Sequence, residues 1–227
     1  MKWRINGKQK TISIGNSSAI YVTEDWKDYA QVSSLFGEQP VIEDLISNLR
    51  SDDVFWDVGA NIGLYTCLVG SQIDSGEIIS FEPHPSNLNK LKKNISTNEL
   101  EVYIKNVALS DTDGELLLDD DGVTHTLSIS NPPDGKEYNV PIEIGDSIDD
   151  VPTPSIIKID VEGEEQAVLR GLEETLKSVR LIYVESHTDH SKRPTEQNIP
   201  TQLREYGFEV EDISTNTNNS YIRGTRI

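Results

Sequence analysis

The feature that most restricts how this chain can fold is an alternation running from Val54 to Asn106. A strand pattern at Val54 to Val58 gives way to helical spacing at about Ile62 to Ser71. A strand then follows at Ile78 to Glu82, a helix at about Ser86 to Thr97 and a strand at Glu101 to Asn106. In the second helix Leu88, Leu91 and Ile95 share one face, and Lys90, Lys92 and Lys93 lie toward its C-terminal half, where the helix dipole favours cations. Crossovers between parallel strands are right-handed, so this order demands a parallel sheet with helices on both faces. The alternation resumes with a strand at Ser155 to Asp160 and a helix from about Glu164 carrying Ala167, Val168, Leu169, Leu172 and Leu176. A strand at Leu181 to Glu185, a last helix near Thr195 to Tyr206, and short strands at Phe208 to Ile213 and Ser220 to Arg226 complete it. The expectation is an α/β fold whose mostly parallel, twisted sheet has about seven strands.

Two stretches lie outside this rhythm. Thr11 to Ile14 and Ala19 to Thr23 read as an accessory hairpin ahead of the sheet, within residues 1–36. Pro40, followed by Val41, Ile42, Leu45, Ile46 and Leu49, reads as the first turn of a helix, a favoured place for proline. Between Asp111 and Gly145 the turn signals Asp113-Gly114, Asp121-Gly122 and Pro132-Pro133-Asp134-Gly135 predict hairpin-like additions beside the sheet. No repeat or long low-complexity tract divides the chain, so residues 1–227 are expected to form one domain with its core in residues 37–227.

The chemistry concentrates where strands run into turns. In Val54-Phe55-Trp56-Asp57-Val58-Gly59-Ala60-Asn61-Ile62-Gly63 an apolar strand enters a small-residue turn and then a helix. Gly59 is expected to let the backbone turn tightly and approach a ligand, whose space a side chain would occupy. Asp57, at the strand's carboxyl end, suits an ammonium or sulfonium and repels a pyrophosphate. A G-x-G-x-x-G dinucleotide turn would need Gly at 59, 61 and 64, but 61 and 64 are Asn and Leu, which argues against NAD. Glu82, before Pro83 and 19 positions after Gly63, stands where such sheets place an acid that accepts from ribose hydroxyls. Asp160 ends the apolar strand Ile156 to Ile159 at the same edge, and Glu185-Ser186-His187 follows the next strand to it. Asp160, Glu185 and His187 are therefore the candidate bases, the last because imidazole titrates near neutrality. Glu162, two residues beyond Asp160, could share the site, but reads rather as an acid capping the following helix. Glu185, His187 and His190 could in principle hold a metal, and Asp119 to Gly122 looks superficially like a calcium loop. A polar loop yields the first pattern by chance, and Leu117 and Ser128 fill the loop positions a calcium site reserves for acids, so no metal is expected.

At this point the chain resembles the FkbM family of methyltransferases. The family's order of segments is met by Phe55 to Gly63, Ser80-Phe81-Glu82-Pro83, Asn106-Val107-Ala108-Leu109-Ser110-Asp111 and Ile157-Lys158-Ile159-Asp160-Val161-Glu162-Gly163, with Glu165, Val168, Leu169 and Gly171 after the last. The resemblance implies a Rossmann-like class I methyltransferase fold, its last strand antiparallel, using S-adenosyl-L-methionine. Asp57, Gly59, Ala60, Asn61 and Gly63 would hold its methionine part, Glu82 with Pro83 the ribose, Val107 with Ala108 the adenine, and Asp160 would lie beside the reactive methyl. Phe36-Gly37-Glu38 is a shorter match to the family's entrance segment and departs from its usual aromatic-acid-proline run. The resemblance also implies an oxygen acceptor, a hydroxyl of a small molecule or glycan.

Charge narrows the partners. The chain carries 39 acidic and 20 basic residues, a formal charge of −19, so a nucleic-acid role through a basic patch is not expected. The acids are spread along the whole length, as on surfaces adapted to salty cytoplasm. Cys67 is the only cysteine, no stretch has the order of a signal peptide, and no apolar run approaches the roughly 18 residues of a membrane helix. A soluble cytoplasmic protein without membrane contact is the expectation, its oligomeric state unspecified. Two rivals remain, a nicotinamide oxidoreductase on a similar sheet and a non-catalytic protein that binds the sulfonium cofactor or a partner.

Overall fold

The computed structural model describes residues 2–6, 8–118, 137–161, 163–186, 198–213 and 220–226. Three strands come first, β1 (Lys2–Asn6), β2 (Gln9–Ile14) and β3 (Ser17–Val22), followed by helix α1 (Trp26–Asn48). The alternating part runs β4 (Val54–Val58), α2 (Leu64–Gly70), β5 (Glu77–Phe81), α3 (Pro85–Thr97) and β6 (Tyr103–Lys105). After it come β7 (Ala108–Ser110), β8 (Gly114–Leu118), β9 (Tyr138–Ile144), β10 (Ile156–Ile159), α4 (Glu165–Gly171), β11 (Leu181–Ser186), α5 (Ile199–Glu205), β12 (Glu209–Asp212) and β13 (Ser220–Thr225). The main sheet has seven strands in the order β12-β13-β11-β10-β4-β5-β6. The pairs from β11 to β6 are parallel, and β13 runs antiparallel to both of its neighbours.

Strand alternation divides the core into two halves. Phe55, Ile78, Ile156 and Leu181 face a layer containing α1, α2 and α3, with Val41, Leu45, Leu68 and Leu91 buried against them. Trp56, Ile79, Ile157 and Ile182 face α4 and α5, where Val168, Leu169 and Leu203 are fully buried. Each such aliphatic side chain contributes about 1.5–3 kcal/mol when removed from water. One line of side chains breaks the apolar pattern of the first face. Ser80, Asp57, Lys158, Tyr183, Arg223 and Glu211 stand opposite one another on six successive strands. Over its far end lies α1, whose Asp44 accepts hydrogen bonds from the Tyr183 hydroxyl and Arg223, both at 2.7 Å.

Several sequence expectations are corrected. The N-terminal element contains the expected hairpin, β2 with β3, but β1 extends it to a three-stranded antiparallel sheet. Its third strand is bound by α3, since Asn94 and Asn98 accept from the Val22 and Ile20 amides at 2.8 and 2.7 Å. Helix α1 starts at Trp26, so it crosses the expected boundary at residue 36 and Pro40 lies in its interior. Asp25 caps this earlier start by accepting from the Asp28 amide at 2.9 Å. Buried Val32, Val41, Ile42 and Leu45 pack into the core on both sides of Pro40 and hold the helix through the hydrogen bond that proline cannot donate. The helix expected from Glu164 to Leu176 ends at Gly171. Asp146 captures the Glu174 and Thr175 amides at 2.8 Å each, and a 3-10 turn, Thr175–Ser178, follows. Residues 111–145 do hold an antiparallel pair, β8 with β9, but β7 joins it alongside β9 to make a separate three-stranded sheet. The turns at Asp121-Gly122 and Pro132 to Gly135 lie outside the described residues.

Candidate active site

The turn after β4 is fixed by the backbone around it. The Gly59 and Ala60 amides donate to the Phe81 carbonyl at 3.1 and 3.0 Å, stitching the turn to the end of β5. Gly59 has φ 77°, and a β-carbon there would fall 1.9 Å from the Asp160 carbonyl oxygen. Glycine is thus demanded by the end of β10, which corrects the expectation that a ligand's space requires it. Gly63, at φ 83°, opens α2, and its missing side chain makes room for Leu91. Between them Asn61 takes a left-handed conformation, φ 53°, which asparagine tolerates better than most residues. That conformation aims its amide at Glu82 Oε2, 2.7 Å away, while its side chain accepts from Gln31 of α1 at 2.6 Å.

Glu82 is the first residue beyond β5 and is 4% exposed. Its other oxygen accepts from the His84 amide at 2.8 Å. Burial pushes this carboxyl up to about 7, against the opposing pull of the His84 and Asn61 amides, Asn87 and Lys158. Pro83 is half-buried, and both its carbonyl and that of Glu82 accept from Asn106, which anchors the stretch leading to buried Val107 and half-buried Ala108 at the start of β7.

Asp57 is fully buried. Its Oδ2 accepts from the Thr66 amide at 3.0 Å and hydroxyl at 2.6 Å, whereas Oδ1 has no hydrogen bond and lies 3.6 Å from Lys158 Nζ. Lys158 also lies 3.1 Å from Asp160 Oδ2 and donates to the Gly59 carbonyl at 3.3 Å, with its ammonium over the Tyr65 ring. Burial opposes its charge, but Asp160, Asp57 and Glu38 outweigh that and hold the lysine above its usual range. The Asp160 side chain, by contrast, is a quarter exposed.

Glu38, from the middle of α1, accepts from Tyr65 at 2.8 Å, and burial raises its carboxyl above the usual range, with Asp160 adding to the shift. Glu185 is buried and accepts from Tyr221 at 2.7 Å. Burial and the surrounding phenol and carboxylates Tyr65, Glu38, Asp160 and Glu185 push the Tyr221 hydroxyl far up. Asp57, the turn through Gly63, Glu82, Asp160 and Glu185 are thus brought to one sheet edge. His187, His190 and Glu162 lie outside the described residues. The sequence reading passed over Lys158, Thr66, Tyr65 and Tyr221. A lone lysine in the run Ile156-Ile157-Lys158-Ile159 was the one available signal, because a buried ammonium demands partners.

A seven-stranded sheet of this order, with a glycine turn after the inner strand β4 and acids at the ends of the two strands beside it, defines a Rossmann-like class I methyltransferase fold. Residues 57–210 match the Methyltransferase FkbM domain, and the chain belongs to that family. It is 27% identical over 220 residues to the hexuronic acid methyltransferase AglP of Haloferax volcanii, across 94% of this chain and 87% of that protein. The crystal structure of precorrin-6y C5,15-methyltransferase from Geobacter metallireducens shares the fold at TM-score 0.54 and 16% identity, over 84% of this chain and 88% of that one. So does magnesium protoporphyrin IX methyltransferase from Synechocystis with bound S-adenosylmethionine, at TM-score 0.54 and 10% identity over 85% and 81%. Family and fold together imply S-adenosyl-L-methionine as the cofactor.

The residues suit that group. Each Glu82 oxygen has one amide partner at full hydrogen-bond strength and keeps acceptor capacity for a diol. Asp57 Oδ1 is a buried acceptor with no hydrogen bond among the described residues. The acids also face a resident cation, since Lys158 supplies a buried positive charge between Asp57 and Asp160.

Proposed function

We propose that this chain transfers a methyl group from S-adenosylmethionine to a hydroxyl oxygen of a sugar, free or within a glycan, in the cytoplasm. The observation that carries this reading is the placement of Glu82 and Asp160 on either side of the Gly59 turn, each the first residue beyond one of the two strands that flank β4. The Haloferax relative, a hexuronic acid methyltransferase, supports a sugar acceptor.

When bound, the cofactor supplies an electrophilic methyl on a cationic sulfur. Glu82 accepts from the ribose hydroxyls, Pro83 borders them, and Val107 with Ala108 lines the base. Asp57, Gly59, Ala60, Asn61 and Gly63 receive the amino-acid end. Displacement at a methyl carbon needs alignment more than acid or base strength, so a rigid turn is the larger part of what the protein provides. The acceptor hydroxyl must also lose a proton, and Asp160, the partly exposed acid of the group, takes it. Glu185, held by Tyr221, and His187 are the other candidate bases.

Calorimetric titration with S-adenosylmethionine, S-adenosylhomocysteine and NAD, followed by methyl transfer from labelled cofactor to a panel of neutral sugars and uronic acids, tests the reading. Sulfonium binding with alkali-stable methylation of a sugar is expected. Binding of NAD alone would reject it, and tight sulfonium binding with no turnover on any acceptor would make the chain a non-catalytic binding protein. A uronic acid also offers a carboxylate oxygen, which needs no base. An alkali-labile methyl ester as product would establish that second reading, which the relative's acceptor favours.

A further inference from the structure

Lys158 is the one charged residue in β10, and its side chain is 4% exposed. An ammonium so placed is tolerated only where acceptors replace its water. Its partners are distributed in a specific way. Nζ reaches the carbonyl of the Gly59 turn at 3.3 Å, the buried acid of β4 at 3.6 Å and the acid that ends its own strand at 3.1 Å, while the Tyr65 ring lies 4.9 Å below it. The same group therefore touches the segment assigned to the donor and the carboxylate assigned to the acceptor's proton.

We propose that Lys158 is a positioning residue for methyl transfer, its ammonium fixing the Asp160 carboxylate against the Gly59 turn. This rests on reading Asp160 as the group that takes the acceptor's proton. A carboxylate on a strand end can rotate freely about its side-chain bonds, and a charge-assisted contact from a rigid neighbouring strand position restricts it. The ammonium also balances a crowd of acids. Asp57 on β4, Glu38 on α1, Glu82 beyond β5 and Glu185 on β11 surround the pair, together with the phenols of Tyr65 on α2 and Tyr221 on β13. Without that cation Asp160 sits among like charges and is free to swing away from the Gly59 turn, and its proton is held to higher pH.

The test compares Lys158→Met and Lys158→Arg with the unaltered protein in donor binding by calorimetry, in kcat and KM against pH, and in a carbon-13 NMR titration of the Asp160 carboxyl. For Lys158→Met the expected result is a kcat at saturating donor lower by about tenfold or more, measured above pH ~8 where Glu82 stays ionised. The acidic limb of its kcat profile and the Asp160 titration should both move up by about one pH unit or more. Lys158→Arg keeps the charge but not the geometry, so its limb stays in place while kcat falls. A folded Lys158→Met with unchanged kcat and an unmoved Asp160 titration overturns the proposal. Should that variant not fold, Lys158→Arg decides, since full kcat there denies a positioning role. If the unaltered protein methylates no acceptor, the functional reading fails while the Asp160 titration still judges the Lys158 contact by itself.

Discussion

The Asp160 carbonyl oxygen stands 1.9 Å from the point that a β-carbon on residue 59 would occupy, so the turn leaving β4 and the end of β10 meet backbone to backbone. Neither partner is the movable tip of a side chain, and Gly59 also has φ 77°, a region that L-residues avoid. Gly59→Ala should cost about 3 kcal/mol or more in urea unfolding at fixed salt. A cost under about 1 kcal/mol would show that the two strand ends separate easily.

Glu82 makes donor binding depend on pH near neutrality. Its ordinary carboxyl value of 4.5 is raised to about 7 in the folded chain, chiefly by burial. The ionised form is the better acceptor for ribose hydroxyls, so donor affinity should rise as pH increases through about 7 and then level off. Stability has the opposite sign. Between about 4.5 and 7 the folded chain holds a proton the unfolded chain has released, so this group's contribution declines as pH rises across that window. Calorimetry in buffers of different ionisation heat should register proton release on binding below pH ~7, and Glu82→Gln should abolish it. The same variant should lose about 1.5–3 kcal/mol of donor affinity for each hydrogen bond to the charged acceptor.

Asp160→Asn preserves shape and removes the proton acceptor. Turnover should fall by about 10²- to 10⁴-fold while donor affinity stays nearly constant. Isotope-traced single-turnover assays would reveal this split, and an undiminished rate would point to Glu185, His187 or a carboxylate oxygen as acceptor.

With a formal charge of −19, the chain repels itself at low ionic strength. Its melting temperature should climb as KCl goes from millimolar to molar, because salt screens repulsion among exposed carboxylates. Exposed or partly exposed pairs such as Lys93 with Glu24, at 2.7 Å, weaken in the same series and set only a small counter-trend. A flat melting temperature would contradict a salt-adapted surface.

The sequence disclosed β4, β5, β10 and β11 to within a residue or two, because strands covered on both faces read as short aliphatic runs. Asp57, Glu82 and Asp160 were legible for a related reason, since an acid ending such a run has few other places to go. The start of α1 was hidden because Trp26 to Gln39 lacks a clear apolar stripe and Pro40 looked like a beginning. Asp25-Trp26-Lys27-Asp28, with its capping acid, was the overlooked signal. The partnerships of Lys158, Tyr65 and Tyr221 were illegible for a deeper reason. They join β10 to β4, α1 to α2 and β11 to β13, and spacing along the chain says nothing about which side chains meet across such distances.

The transverse line from Ser80 through Asp57, Lys158, Tyr183 and Arg223 to Glu211 bears on how the strands find their alignment. Aliphatic strands resemble one another, and an isoleucine accepts almost any aliphatic neighbour. Sliding one strand by a single residue would turn its polar member to the opposite side and strand its partners in hydrocarbon. The line therefore acts as a key cut across the sheet, and valine, isoleucine and leucine on either side of it can be exchanged over evolutionary time without the strands losing their place.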